Sequence, residues 1–118
     1  MEAKTTELEQ FLNECKRLSN GDATFADFTK VCVWSISLVE GSGLDSSDIS
    51  EICIWIAEVW FRTPSIQSNN LLDEIGGTFA DNEPVGSINL LDPQDMQRWL
   101  KLKSWISQAQ KLYGTKNA

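Results

Sequence analysis

Apolar residues recur every three or four positions in four stretches of this chain, the spacing of one helix face. The first carries Leu8, Phe11, Leu12, Cys15 and Leu18; Thr6 with Glu9 forms a capping box at its start, and Ser19-Asn20-Gly21 stops it. The second, from Phe25 to about Glu40, opens on Thr24 with Asp27 and holds Phe28, Val31, Cys32, Val33, Trp34, Ile36, Leu38 and Val39. Its β-branched content would suit a strand, but the uninterrupted length and the cap favour a helix buried nearly all round. After Gly41-Ser-Gly43, the candidates Asp45, Ser46 and Ser47 can cap a third helix that runs to Arg62 and ends at Thr63-Pro64, with Ile49, Ile52, Cys53, Ile56, Val59 and Trp60 as its core stripe. Residues 63–91 are less periodic, with a short helix over Leu71 to Ile75, Gly76-Gly77 as a break and Asp81-Asn-Glu-Pro84 as a turn. Asp92-Pro93-Gln94-Asp95 is a strong helix start, Gly114 closes that last helix, and Trp99, Leu102, Ile106, Ala109 and Tyr113 face inward. The expected fold is all-α, one domain over residues 1–118: a bundle of four main helices with a short extra helix or irregular excursion before the last.

Size and composition agree with that expectation. At 118 residues and 42% hydrophobic, the chain can bury roughly two thirds of its unfolded surface. Its start, MEAKTTELEQ, is polar and acidic, unlike a secretory signal. The longest apolar segments, Val31 to Val39 and Ile52 to Phe61, fall well short of the ~20 residues that span a bilayer. Cys15, Cys32 and Cys53 are odd in number, widely spaced and set among apolar neighbours, as reduced structural cysteines are. The expected compartment is the cytoplasm. Histidine is absent, which removes the usual general base at neutral pH and every Ser-His or Cys-His nucleophile pair.

Charge adds the clue to a partner. The net charge is −7, and between Lys30 and Arg98 there are eleven carboxylates against one cation, Arg62. The final segment reverses the sign, with Arg98, Lys101, Lys103, Lys111 and Lys116 and no acid after Asp95. Such a field repels nucleic acid and anionic membrane from the middle of the chain and attracts basic proteins. In the third helix Asp48, Glu51, Trp55, Glu58 and Arg62 share one face opposite the core stripe. An aromatic side chain ringed by carboxylates suits an interface centre that meets Lys or Arg on a partner. The alternative is that Trp55 packs under the 63–91 excursion and the acids only solvate the helix.

Other chemistries fit less well. Asp73-Glu74 and Asp81-Asn-Glu83 lack the spaced oxygen ligands and glycine of an EF-hand, so no metal or other cofactor is expected. Gly41-Ser-Gly43 and Gly76-Gly77 lack the lysine of a phosphate loop. Of five tryptophans, Trp34, Trp60 and Trp99 fit core positions, and Trp105 lies at the edge of its helix's apolar arc, near Arg98. Lys101 and Lys103 point about 160° apart, so the last helix is read as docking beside acidic neighbours rather than on nucleic acid.

Phe11-Leu12, then Leu18-Ser-Asn-Gly21-Asp-Ala-Thr24-Phe-Ala-Asp27-Phe28, resembles the opening of colicin D-type immunity proteins, over the first third of the chain. The resemblance implies an all-α, acidic protein that blocks a basic, tRNA-cleaving toxin domain by presenting carboxylates where RNA phosphates would lie. A second stretch, Gly43-Leu-Asp45-Ser46-Ser47-Asp48-Ile49, is similar to the Gly-x-Asp-Ser-Leu segment of acyl and peptidyl carrier proteins, which would place a phosphopantetheine arm on Ser46. It departs from that pattern at Ser47, where leucine is expected. The expectation is therefore a bacterial, non-enzymatic binding protein whose partner is a basic nuclease-type toxin, with no nucleic acid or membrane partner. Its contacts would be Asp45, Asp48, Glu51, Trp55 and Glu58, joined by Asp73, Glu74, Asp81 and Glu83. A carrier-like domain modified at Ser46 and an adaptor subunit are the alternatives.

Overall fold

A computed structural model describes residues 2–41, 43–82 and 92–114, and only the backbone of residues 2–6, 46 and 82. The described residues form six helices and no strand: α1 (Glu2–Leu18), α2 (Phe25–Gly41), α3 (Ser46–Arg62), α4 (Pro64–Gln67), α5 (Asn70–Asn82) and α6 (Pro93–Tyr113). The all-helical expectation holds. The count of four main helices does not, because most of the described part of the expected excursion is helix, in α4 and the thirteen-residue α5.

Three of the sequence-read caps form as bonds. Thr24 Oγ1 accepts from the Asp27 amide at 3.0 Å while the Thr24 amide donates to Asp27 Oδ2 at 3.1 Å, so α2 begins with two orphan donors satisfied reciprocally. Asp45 accepts from the Asp48 amide at 2.9 Å to open α3. Asp92 accepts from the amides of Gln94 and Asp95, with Pro93 at the first helical position of α6. By contrast, α1 starts at Glu2 rather than Thr6, four residues before the capping-box site. A run of Ala and charged residues with high helix propensity carries the helix through that site.

Each of α2 and α5 packs on both α3 and α6, so α3 and α6 occupy diagonal corners of the bundle. The buried interior is built from Phe11, Phe28, Leu38, Ile52, Ile56, Leu72, Phe79, Trp99, Leu102 and Ile106, among others. Helix α1 closes the α2/α3 side, and α4 bridges α3 to α5. The turn between α1 and α2 calls for glycine because Gly21 has φ +103°, a conformation that side chains disfavour.

The widest helix pairing, α3 on α5, explains why Gly76-Gly77 does not break the chain. Gly76 is buried, and a Cβ on it would fall inside the Trp60 side chain. The Trp60 side chain lies against the bare backbone of α5 at Gly76, and its Nε1 donates to Asp73 Oδ1 at 2.8 Å one turn earlier. Trp60 is thus half-buried at the α3/α5 seam rather than within the core stripe. Trp34 is displaced in the same sense: its ring meets Phe11 edge-on at 5.3 Å and its Nε1 donates to Glu7 at 3.2 Å.

The link between α2 and α6 uses a third indole. Fully buried Trp99 donates to Glu40 Oε2 at 2.7 Å, and Lys103 Nζ reaches the same oxygen at 2.7 Å. First the Lys103 ammonium and then the Trp99 N–H hold the Glu40 carboxyl below its usual range.

Two outcomes follow for stability. Gly76→Ala should destabilise by about 1–3 kcal/mol through overpacking against Trp60, whereas Gly77→Ala, with open space at its Cβ, should gain up to about 1 kcal/mol of helix propensity; urea unfolding of the two variants checks the opposite signs. Because the folded pKa of Glu40 is depressed, its contribution is complete above ~4.3 and fades as pH falls through the folded value. Glu40→Gln should cost about 0.5–1 kcal/mol at pH 7, a hydrogen-bonded charge pair discounted for exposure, and the gap to wild type should narrow toward pH 3 in chemical denaturation.

Candidate functional site

Helix α3 has a core side and an outward side. Ile49, Ile52, Cys53, Ile56 and Val59 are buried, as the periodicity predicts. The direction opposite them carries Ser47, Glu51, Ile54, Glu58 and Phe61. Phe61 is 68% exposed, the most exposed large apolar side chain among the described residues. Ile54 lies seven residues earlier on the same line and is half-buried. Glu51 is exposed and has no ion-pair partner among the described residues, whereas Glu58 is paired with Arg62 at 2.9 Å. Along this face carboxylate and apolar side chains therefore alternate, Glu51, Ile54, Glu58 and Phe61, with one cation, Arg62, at its end.

Trp55 is not the centre of that face. It sits on the flank toward α1, half-buried against the core, with Lys16 Nζ 5.4 Å from its ring centroid. A cation from α1 covers the indole, so neither an outward anchor nor a residue under the 63–91 segment describes it. Asp48 lies on the same flank, in the first turn of α3, where a carboxylate complements the helix dipole. Asp45 is exposed, but its carboxylate is engaged as the N-cap.

Of the acids expected from the excursion, Asp73 and Asp81 face elsewhere. Asp73 is turned into the α3/α5 seam by Trp60. Glu74 is exposed on α5. Asp81 lines a cleft of ≈ 190 Å³ between α5 and α6 with Thr78, Arg98, Lys101 and Trp105, so it faces the basic helix. Glu83 and the Ser46 side chain lie outside the described residues. Sequence reading passed over Phe61 and Ile54 because they fall within one apolar run. The available signal was phase: Phe61 is nine residues from Ile52, half a turn away on a helix.

Other features bound what chemistry the described residues hold. A second cleft, ≈ 110 Å³, lies between α2 and the end of α6, with Thr29, Lys30, Val33 and Gln110 in its lining. All three cysteines are free and buried. Burial pushes the Cys15 thiol up to about 12 and Cys32 well above the usual thiol range, so neither is poised as a nucleophile. Among the described residues no group of three or more Cys, Asp or Glu is placed to hold a metal ion, and no helix is long and apolar enough to cross a membrane.

Compared with known proteins, the chain matches no family model, no curated protein and no solved structure. The functional reading therefore stands on the residues themselves.

Proposed function

We propose that this chain is a binding protein that docks a basic protein through the outward face of α3, and that it serves as a bacterial immunity protein occluding a nuclease-type toxin. The observation that carries the reading is Phe61, exposed on the same helix face as Glu51 and Glu58. An exposed aromatic set among carboxylates has the composition of an interface centre, and its neighbours select a cationic cover. Net charge of −7 adds long-range attraction to such a partner.

The mechanism is occlusion. Glu51 and Glu58 take the places of substrate phosphates against Lys and Arg of the toxin, while Phe61 and Ile54 fill an apolar recess and exclude water around those pairs. Arg62 keeps Glu58 fixed in the free protein, and a partner arginine at that carboxylate forms a bidentate pair beside it. The three reduced thiols suit a cytoplasmic site of action.

The proposal expects the neighbouring reading frame to encode a basic nuclease domain, and the test is co-expression with that domain, read as cell survival and as association rate against salt. Glu51→Lys with Glu58→Lys should slow association at least about tenfold at low salt and abolish protection. Phe61→Ala should mainly raise the dissociation rate, about tenfold or more. Protection and binding unchanged by the double charge reversal would remove the reading.

A further inference from the structure

Helix α6 presents a second face that the proposed function leaves unused. Gln94, Arg98, Lys101, Trp105, Gln108 and Leu112 are spaced four and three residues apart, so they form one line along about 27 Å of helix. It lies beside the buried stripe of Trp99, Leu102, Ile106 and Ala109. Leu112 is 65% exposed, and Trp105 is half-buried with Lys101 Nζ 5.6 Å from its ring centroid. Arg98 is held by Asp95 at 3.0 Å. The line carries its cations in the first half, where Asp81 of α5 shares the cleft with Arg98 and Lys101, and its exposed apolar side chain, Leu112, in the second.

The outward face of α3 has the same four-three spacing with the opposite charge: Ser47, Glu51, Ile54, Glu58 and Phe61. Laid antiparallel with Trp105 opposite Ile54, the two lines put Lys101 against Glu58, Arg98 against Phe61, Gln108 against Glu51 and Leu112 against Ser47. That register makes one ion pair, one cation over an aromatic ring, one apolar contact and one hydrogen bond to a carboxylate. Of the parallel registers, setting Arg98 against Glu51 leaves Lys101 on Ile54 and Trp105 on Glu58, and setting Arg98 against Glu58 leaves Trp105, Gln108 and Leu112 beyond the end of the α3 line.

We infer that α6 of one copy docks on α3 of a second copy, antiparallel, so that the protein associates head to tail through two different faces. The α3 line points out of the bundle and the α6 line lies on the flank toward α5, where Thr78 and Asp81 share its cleft, so the two faces of one copy are separate surfaces. A contact between two different faces is heterologous, so each copy can take one neighbour at each face and association continues past the dimer. A contact one helix wide on each side buries less than the ~1,200 Å² typical of stable complexes, and like net charge opposes it. The association is weak, with a dissociation constant on the order of 10⁻⁴ M. It covers Phe61, Glu51 and Glu58, so copies held this way have no α3 face open to another partner. The inference itself rests on the two faces and not on what that partner is.

Sedimentation velocity from 10⁻⁵ to 10⁻³ M tests it. Wild type should show an average mass rising steadily past that of a dimer. Phe61→Arg, which sets two arginines opposite each other, and Lys101→Glu, which sets two glutamates opposite each other, should each remain monomeric. Mixed in equal amounts, the two variants should form a 1:1 dimer and nothing larger, because each keeps one intact face. Both altered side chains are exposed, so the fold is not at stake. A wild type that stays monomeric at 10⁻³ M, a single variant that still self-associates, or a mixture that fails to pair would each overturn the head-to-tail contact.

Discussion

An indole lying on a helix that has no side chain beneath it organises this molecule. Trp60 can reach the backbone of α5 only because Gly76 is bare there, and the Asp73 carboxylate then fixes the ring by its N–H. That contact seats α5 against α3 over the widest helix pairing of the bundle. With α5 in place, α6 has a second helix besides α2 to pack against, and α3 has one side committed to the interior. The outward line of Glu51, Ile54, Glu58 and Phe61 is what remains of α3 once α1, α2, α4 and α5 have taken their shares.

The acidity of the chain divides on the same principle. Several carboxylates are consumed by local structure: Glu7, Asp73 and Glu40 receive the indole N–H groups of Trp34, Trp60 and Trp99, and Asp27, Asp45 and Asp92 cap helices. Charge-assisted bonds to these groups hold large aromatic side chains in one orientation, which plain apolar contact does less well. Under the proposed reading, the carboxylates left for a partner are fewer than the eleven acids between Lys30 and Arg98 suggest. They are centred on an aromatic residue of α3 that is not a tryptophan.

The helical elements were legible wherever a local rule decided them. Thr24 with Asp27 and Asp92 with Pro93 act within one turn, and the stripes of α2, α3 and α6 need only the period of a helix. Legibility failed where a distant residue set the outcome. Gly76-Gly77 reads as a break because glycine weakens an isolated helix, yet Trp60, sixteen positions earlier, requires glycine at that point. Trp55 is covered by Lys16 of another helix, a contact that no spacing within α3 reveals. Thr6 shows the reverse error: a capping pattern inside a strong run of helix formers is simply passed through.

The three buried thiols of α1, α2 and α3 give the protein a built-in clock for its own breathing. A thiolate forms readily at Cys15 or Cys32 only after the side chain meets water, so an alkylating reagent acts at the rate at which α1 parts from α2. Counting attached labels over time would order the openings of these helices, with neither engineered probes nor denaturant.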